Sequence, residues 1–593
     1  MEHLEKEIFG MAGIRFSGRI TYQSGDSLSV EYDGKNAVIG YASKAQAARA
    51  LFLLAICVRN GEKKLSLRQT QRFDTLGVMI NASSSVPSVE GTKEYIRHIA
   101  AMGMNMLMLY MENTYQMEKY PFFGHMMCSY TQDELREIDD FADSMGVEVI
   151  PAIQTLGHLS SYLMWQEADE IKNSPTTLLV GEEKTYDFIE EEIKTMRSCM
   201  RTKRIHVGMD EALDLSVFKY MSLHGYENAF DVFNKHIGRV VEICEKYDFQ
   251  ALIWSDMYFS LEGKQRYDYD ENVQVAPEVV EKMLDVGMVF WDYYHDYQSF
   301  YDVNIEKHQS FGRETYFAGA VWDFDGFAPN FAYSEKTMRP ALTACLQKGV
   351  KHVFSTTWGN GETCYMDTLM MLPIFSEFCY LGEECTNDDI YKMSEALCGT
   401  DRQLIDALSG FYLGLDGWAS AARRLPYCDT LIDYTHYEFD YDAAEKKYTD
   451  ILEVIREQVR ENKYNALDLR YYELLAEICL RKSRVLRDLK QRYHAGDRTY
   501  LKAMVEQELP ELRDIYTDFI QIVCKRWKRY CRIQKLDAVT ADLGAAKARV
   551  EYAIYAIDEY LSGETEQIEE LEIERLKGAK LLYQPTASYT RIR

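Results

Sequence analysis

The chain of 593 residues is 47% hydrophobic and 27% charged, a globular composition too long for one core, so about three domains are expected. A formal net charge of −27 argues against nucleic acid or an anionic membrane surface as a partner, because phosphate binding needs clustered Lys and Arg, and leaves a neutral or cationic substrate. Thirteen cysteines, an odd number without Cys-x-x-Cys spacing, predict reduced thiols rather than a disulfide framework or a zinc site.

The opening Met1-Glu2-His3-Leu4-Glu5-Lys6-Glu7 has no basic segment followed by an apolar run, so no secretory signal is expected. The most apolar stretch, residues 47–58, is too short to span a bilayer, and a cytoplasmic location is the expectation. Residues 11–73 alternate in strand fashion through Ile14, Phe16, Gly18 and Ile20, then Leu28, Val30 and Tyr32, with Asp33-Gly34 as a hairpin turn and a helix over 43–59. This predicts a small supporting α+β domain, 1–73, without visible chemistry.

From Asp74 short apolar runs alternate with amphipathic segments. Runs at 75–81, 105–110, 148–153, 204–208, 251–254, 289–293, 315–322 and 352–356 predict strands, and stretches such as 91–102, 132–145, 230–247, 334–348 and 367–380 predict helices between them. Eight such alternations predict a (β/α)8 TIM barrel over 74–382. Beyond it, periodic segments at 443–462, 468–493 and 499–530 predict an all-helical C-terminal domain, 383–593, with Leu512, Ile515, Tyr516, Phe519, Ile522 and Val523 on one apolar face. The run Lys525-Arg526-Trp527-Lys528-Arg529 reads as a solvated helix face rather than a nucleic-acid patch.

The chain is organised around Arg204-Ile205-His206-Val207-Gly208-Met209-Asp210-Glu211, a strand that delivers two adjacent carboxylates to its carboxyl end, where barrel enzymes keep their chemistry. Two carboxylates in one pocket push their proton affinities apart, and general acid catalysis needs one group ionised beside one that holds a proton. A bare Asp-Glu pair is a surface feature in most proteins; here the other strand ends change that estimate. They carry Tyr110, Glu112, Asn113, Gln154, His158, Trp254, Asp256, Trp291-Asp292-Tyr293-Tyr294-His295, Trp322-Asp323-Phe324-Asp325 and Trp358-Gly359-Asn360-Gly361-Glu362. Four of the seven tryptophans thus fall at strand ends five to eight, and indoles with directed acceptors suit the apolar faces and hydroxyls of a sugar.

His206-Val207-Gly208-Met209-Asp210-Glu211 resembles the His-x-Gly-x-Asp-Glu motif of glycoside hydrolase family 20, the exo-β-N-acetylhexosaminidases. The resemblance extends through Ile153-Gln154-Thr155-Leu156-Gly157-His158-Leu159, Ile253-Trp254-Ser255-Asp256-Met257, Phe290-Trp291-Asp292-Tyr293-Tyr294 and Thr357-Trp358-Gly359, and the helical C-terminal region is similar to the intracellular hexosaminidase D-like branch. It implies retaining hydrolysis assisted by the substrate, without cofactor or metal, on a small oligosaccharide or glycoconjugate, with a homodimer compatible. Glu211 would protonate the departing oxygen and later deprotonate water, while Asp210 would hold the 2-acetamido nitrogen so that its carbonyl oxygen attacks the anomeric carbon. Tyr293 or Tyr294 would bond the acetamido carbonyl, Trp254, Trp322 and Trp358 would wall the acetyl pocket, and His158 and His206 would orient carboxylates. Trp291, Glu112, Asp323, Asn360 and Glu362 complete the expected substrate contacts.

The family carries an arginine just after the first barrel strand that grips the 3- and 4-hydroxyls of the terminal sugar; Ser83-Ser84-Ser85 stand there in this chain. The loop 124–129 also lacks arginine, which opens the identity of the terminal sugar. A sugar-binding pseudo-enzyme, or a glycosidase for a modified terminal sugar, is the alternative on the same scaffold. A metal-dependent hydrolase built on His158, His206 and Asp210 has no supporting His-x-His or His-Glu-x-x-His spacing.

Overall fold

The computed structural model describes all residues except 262–268, 270, 274, 325, 360, 361, 414–420, 435, 438, 462–464 and 577–593. The chain begins with helix Glu2–Met11, and the alternation from Ile14 forms no strand until Ile20: apolar residues at every second position there serve as loop contacts, Phe16 stacking on Phe9. Strands β1 (Ile20–Ser24), β2 (Leu28–Tyr32), β3 (Ala37–Tyr41) and β4 (Leu65–Gln69) form a sheet in the order β1-β3-β2-β4, with β1 parallel to β3 and the other pairs antiparallel. The β2–β3 turn closes where expected, because the Asp33 carboxylate accepts hydrogen bonds from the backbone N–H groups of Lys35 and Asn36.

Helix Lys44–Arg59, capped by the Ser43 side chain, buries an Ala-rich face. From its middle Arg49, with a fully buried side chain, makes a two-pronged ion pair at 2.8 Å with Glu377 and stacks over the Tyr380 ring. This pair joins the N-terminal domain to the helix Pro373–Leu381 by a planar fork that only arginine provides.

Eight parallel strands close the barrel: β5 (Thr75–Asn81), β6 (Met106–Tyr110), β7 (Glu148–Ala152), β8 (Arg204–His206), β9 (Gln250–Trp254), β10 (Gly287–Trp291), β11 (Thr315–Ala320) and β12 (His352–Thr357), with β12 pairing back on β5. All seven residues of β5 are buried, as a strand packed on both faces requires. The helices Val89–Ala101, Gln132–Met145, Ala229–Lys246 and Phe331–Gln347 lie where periodicity places them. The stretch 367–380 is not one helix: a 3-10 turn, Tyr365–Met370, is followed by helix Pro373–Leu381, because proline lacks the N–H that a continuous helix needs and sits instead in its first turn. Among the described residues no helix is long and apolar enough to cross a membrane.

By internal contacts the chain falls into two compact units. One holds residues 1–321, 334–357 and 372–397, and so the sheet domain and all eight barrel strands. The other holds the segments 322–333 and 358–371 together with the chain from Cys398 onward. In the latter, Tyr441–Glu461, Ala466–His494 and Leu509–Tyr530 are long helices, and Leu536–Ser562 is a further one that the periodicity reading passed over. Leu512, Tyr516, Phe519 and Val523 are buried as one face, with Ile515 and Ile522 half-buried at its edge. The basic run is not uniformly solvated. Lys525, Lys528 and Arg529 lie toward solvent, but Arg526 and Trp527 are buried: Arg526 pairs with Asp367 and, at 2.6 Å, with Asp468, under the Tyr471 ring. A helix crossing a core alternates faces every three or four residues, so a five-residue charge run must place some members inward.

Candidate active site

Strand β8 is only three residues long, and the turn after it is built from unusual backbone. Gly208, Met209 and Glu211 have φ of 73°, 79° and 53°, and His158 and Glu112 are left-handed as well, at 55° and 45°. Each non-glycine residue held there costs on the order of 1–3 kcal/mol, tolerated only where the surroundings over-determine the conformation. Gly208 suits this turn, since a Cβ on it would lie 2.0 Å from Oε1 of Gln154 and would have to displace the amide that holds Asp210, at a φ that side chains rarely adopt. The turn separates Asp210 and Glu211 by environment: the Asp210 side chain is 14% exposed, that of Glu211 38%.

Asp210 is held at both oxygens. His158 Nε2 lies 3.2 Å from Oδ2, and Gln154 Nε2 donates to Oδ1 at 3.2 Å. The neighbouring Asp210 charge raises the His158 pKa to about 10, against burial, so the imidazolium persists through neutral pH. Although burial opposes it, the His158 charge and hydrogen bonds in turn hold the Asp210 carboxyl below the usual carboxylate range. His158 Nε2 also stands 3.6 Å from Glu211 Oε2, so one cation faces both carboxylates.

Behind Gln154 the network continues in one direction: its amide donates to the Tyr110 hydroxyl at 2.9 Å, which donates to Glu112 at 3.2 Å. Burial raises the Glu112 pKa, while the His158 charge and hydrogen bonds from Tyr110 and Ser83 pull the other way. Ser83, in the place where an arginine was expected, therefore faces Glu112, and its N–H and hydroxyl also donate to Asn81 Oδ1.

His206 is fully buried and makes no hydrogen bond to a carboxylate among the described residues. Its Nδ1 accepts from the Gly208 N–H at 3.1 Å, its ring packs 4.4 Å from Trp254, and burial lowers its pKa to about 3, so it is neutral and shapes the turn. Trp254, at the end of β9, is buried. At the end of β10 and just past it, Trp291, Tyr293 and Tyr294 pack in series, with ring centroids 5.7 and 4.7 Å apart; Tyr293 is the more buried tyrosine. Asp292 is occupied as a scaffold, accepting from the Tyr294 and His295 backbone and from the Tyr301 hydroxyl. Three residues outside the expected contact set complete this arrangement, Tyr110, Gln154 and Asp256; the Asp256 carboxyl accepts from the Glu211 backbone N–H. Their signal in the sequence is only their place at strand ends.

The remaining expected residues belong to the second unit. Trp322 is buried against Phe324 (4.2 Å) and Tyr333 (4.6 Å), and Trp358 is half-buried. Asp323 is fully buried, and burial pushes its pKa far up although the backbone N–H groups of Trp358 and Gly359 pull the other way. Glu362 is in a buried ion pair with Arg423 at 3.1 Å, a partner that nothing in the local sequence announces. Asn360 lies outside the described residues. Among the described residues no group of three His, Cys, Asp or Glu side chains is disposed to hold a metal ion.

Residues 74–277 match the catalytic domain of glycosyl hydrolase family 20, and residues 418–586 match the glycoside hydrolase 20C C-terminal domain. The chain belongs to glycoside hydrolase family 20. It is 22% identical over 234 residues to a probable beta-hexosaminidase of Arthroderma benhamiae, covering 34% of this chain and 38% of that protein. It is 23% identical over 201 residues to beta-hexosaminidase A of Caenorhabditis briggsae, covering 30% and 36%. The matched stretch thus spans well under half the length of these curated relatives. Among solved structures, the Flavobacterium johnsoniae chitobiase is similar over 96% of this chain and 89% of its own, at 14% identity and a TM-score of 0.52. An inactive mutant of a Vibrio harveyi family 20 exo-β-N-acetylglucosaminidase is similar over 68% and 72%, at 13% identity and a TM-score of 0.51. At these identities the likeness is one of fold: this family 20 chain shares the barrel.

Proposed function

We propose that this family 20 chain is a retaining exo-β-N-acetylhexosaminidase, removing terminal β-linked N-acetylglucosamine or N-acetylgalactosamine from glycans through an oxazolinium intermediate. The observation that carries the reading is the division of labour in the Asp210–Glu211 pair: one carboxylate is locked as an anion between His158 and Gln154, the other is the more exposed. A fixed anion suits the acetamido N–H, which becomes more acidic and more positive as its carbonyl oxygen closes on the anomeric carbon. In this reading Glu211, the more exposed of the two carboxylates, protonates the glycosidic oxygen as acid and, after departure of the leaving group, takes a proton from water. The nucleophile belongs to the substrate, so the chain need supply none.

In this reading His158 is a positioning residue that balances the two carboxylates, and the Trp291–Tyr293–Tyr294 series is the surface on which the acetamido group rests. The cytoplasm is the compartment we propose, on the thirteen cysteines without paired spacing. The test is a panel of aryl glycosides. Aryl β-N-acetylhexosaminides should be cleaved, aryl β-glucosides and β-galactosides negligibly, and a thiazoline mimic of the cyclic intermediate should inhibit strongly. Equal turnover of substrates without the 2-acetamido group, or a covalent glycosyl adduct on a carboxylate, would refute it; no hydrolysis together with tight sugar binding would establish the pseudo-enzyme.

A further inference from the structure

A third carboxyl stands behind the pair. Asp256 opens the short helix Asp256–Ser260 just past β9 and is 4% exposed. Its Oδ2 accepts the backbone N–H of Glu211 at 3.3 Å, and its Oδ1 accepts the indole N–H of Trp291 at 3.4 Å. One side chain just past β9 therefore holds the turn after β8 and the end of β10 at once. The first donor belongs to a residue in the left-handed region, φ 53°, a conformation glutamate does not keep without external restraint. We propose that Asp256 is the positioning residue of Glu211, fixing the backbone of the acid and the Trp291 indole to each other so that the Glu211 carboxyl keeps its reach to the glycosidic oxygen. This rests on the assignment of Glu211 as the acid.

The charge on Asp256 matters to that role. The ionisable groups that face it are Asp210 and Glu211 from the β8 turn and Tyr269 beyond its own helix, with the Trp291 indole from β10. His158 faces the other two carboxylates, Asp210 and Glu211. Burial, then the negative Asp210 and Glu211, raise the Asp256 pKa to about 8. At neutral pH Asp256 is therefore protonated, and the site carries one negative charge fewer than its carboxylates would suggest. Above that pH a third charge appears beside the pair, which disfavours the anionic states that catalysis cycles through.

The experiment compares Asp256→Asn and Trp291→Phe with wild type, measuring kcat and KM on an aryl β-N-acetylglucosaminide from pH 5 to 9.5 alongside thermal melting. The amide has one accepting oxygen where two N–H donors converge, so Asp256→Asn must surrender one bond. We expect kcat to fall about 10- to 100-fold with KM within about threefold, and an alkaline limb near pH 8 to disappear from the profile. Trp291→Phe, which removes one donor and leaves the carboxyl, should lower kcat about threefold in the same direction and keep the limb. If Asp256→Asn does not fold, Trp291→Phe decides alone, and an unchanged kcat there overturns the proposal. Wild-type kcat and pH profile in Asp256→Asn, or a change confined to KM, overturns it as well. A wild-type chain that cleaves no hexosaminide would instead remove the functional assignment beneath it.

Discussion

His158 Nε2 stands 3.2 Å from Asp210 Oδ2, and the two side chains set each other's charge: the acid keeps the imidazole protonated and the imidazolium keeps the acid ionised. His158→Gln retains a donor but no cation. We expect kcat/KM to fall about 10- to 100-fold and the acid limb of its pH profile to move upward, because Asp210, without the cation, ionises at higher pH. An unchanged acid limb would mean that the Asp210 charge is set elsewhere.

The same pair predicts a pH dependence of stability. The folded His158 pKa lies above its unfolded value, so its contribution is fully present below about pH 6.5 and lost as pH rises through about 10. The folded Asp210 pKa is depressed, so its share is present above the unfolded value and lost as pH falls through the folded one. Denaturant melts of wild type and His158→Gln should differ by about 1–3 kcal/mol at pH 6 and converge toward about pH 10. A gap that stays constant across that range would contradict the coupling.

Replacing Glu211 by Gln should lower turnover by about 10² to 10⁴, with much less harm on aryl substrates whose leaving group needs no proton. Asp210→Asn should be comparably damaging on all leaving groups, since the cyclic intermediate loses its counter-charge. Steady-state kinetics across a leaving-group series separates the two. Equal losses from Glu211→Gln on good and poor leaving groups would contradict its role as acid.

Ser83 donates to Asn81 and faces Glu112, so the place of the expected arginine holds short, rotatable hydroxyls rather than a rigid fork. Discrimination at the 4-hydroxyl should be correspondingly loose. The kcat/KM ratio between the β-N-acetylglucosaminide and the β-N-acetylgalactosaminide is expected within about tenfold, roughly 1.4 kcal/mol. Measured side by side, a ratio of about a hundredfold or more would place the discriminating group outside this loop.

In the second unit, Arg526 neutralises two buried carboxylates, Asp367 and Asp468. Arg526→Met leaves both charges without it, and should destabilise by about 3–5 kcal/mol. Calorimetry or urea unfolding reads this. A loss under about 1 kcal/mol would mean that the acids simply take up protons.

Periodicity was enough to place all eight barrel strands, because a parallel strand buried on both faces must be apolar throughout and its spacing from the next is set by an intervening helix. That Asp210 and Glu211 follow a barrel strand was legible for a related reason: a strand end in a barrel is a fixed address, and Gly208, at φ 73°, marks the turn. What the one-dimensional order could not carry was partnership. That His158 serves both carboxylates while His206 caps Gly208, that Asp256 reaches the Glu211 N–H, that Glu362 pairs with Arg423 and that Arg526 turns inward all join residues distant in the chain or distinguish identical side chains by orientation. Charge state belongs with these, since a carboxyl acquires its proton affinity from burial and neighbours, and both exist only once the chain has folded.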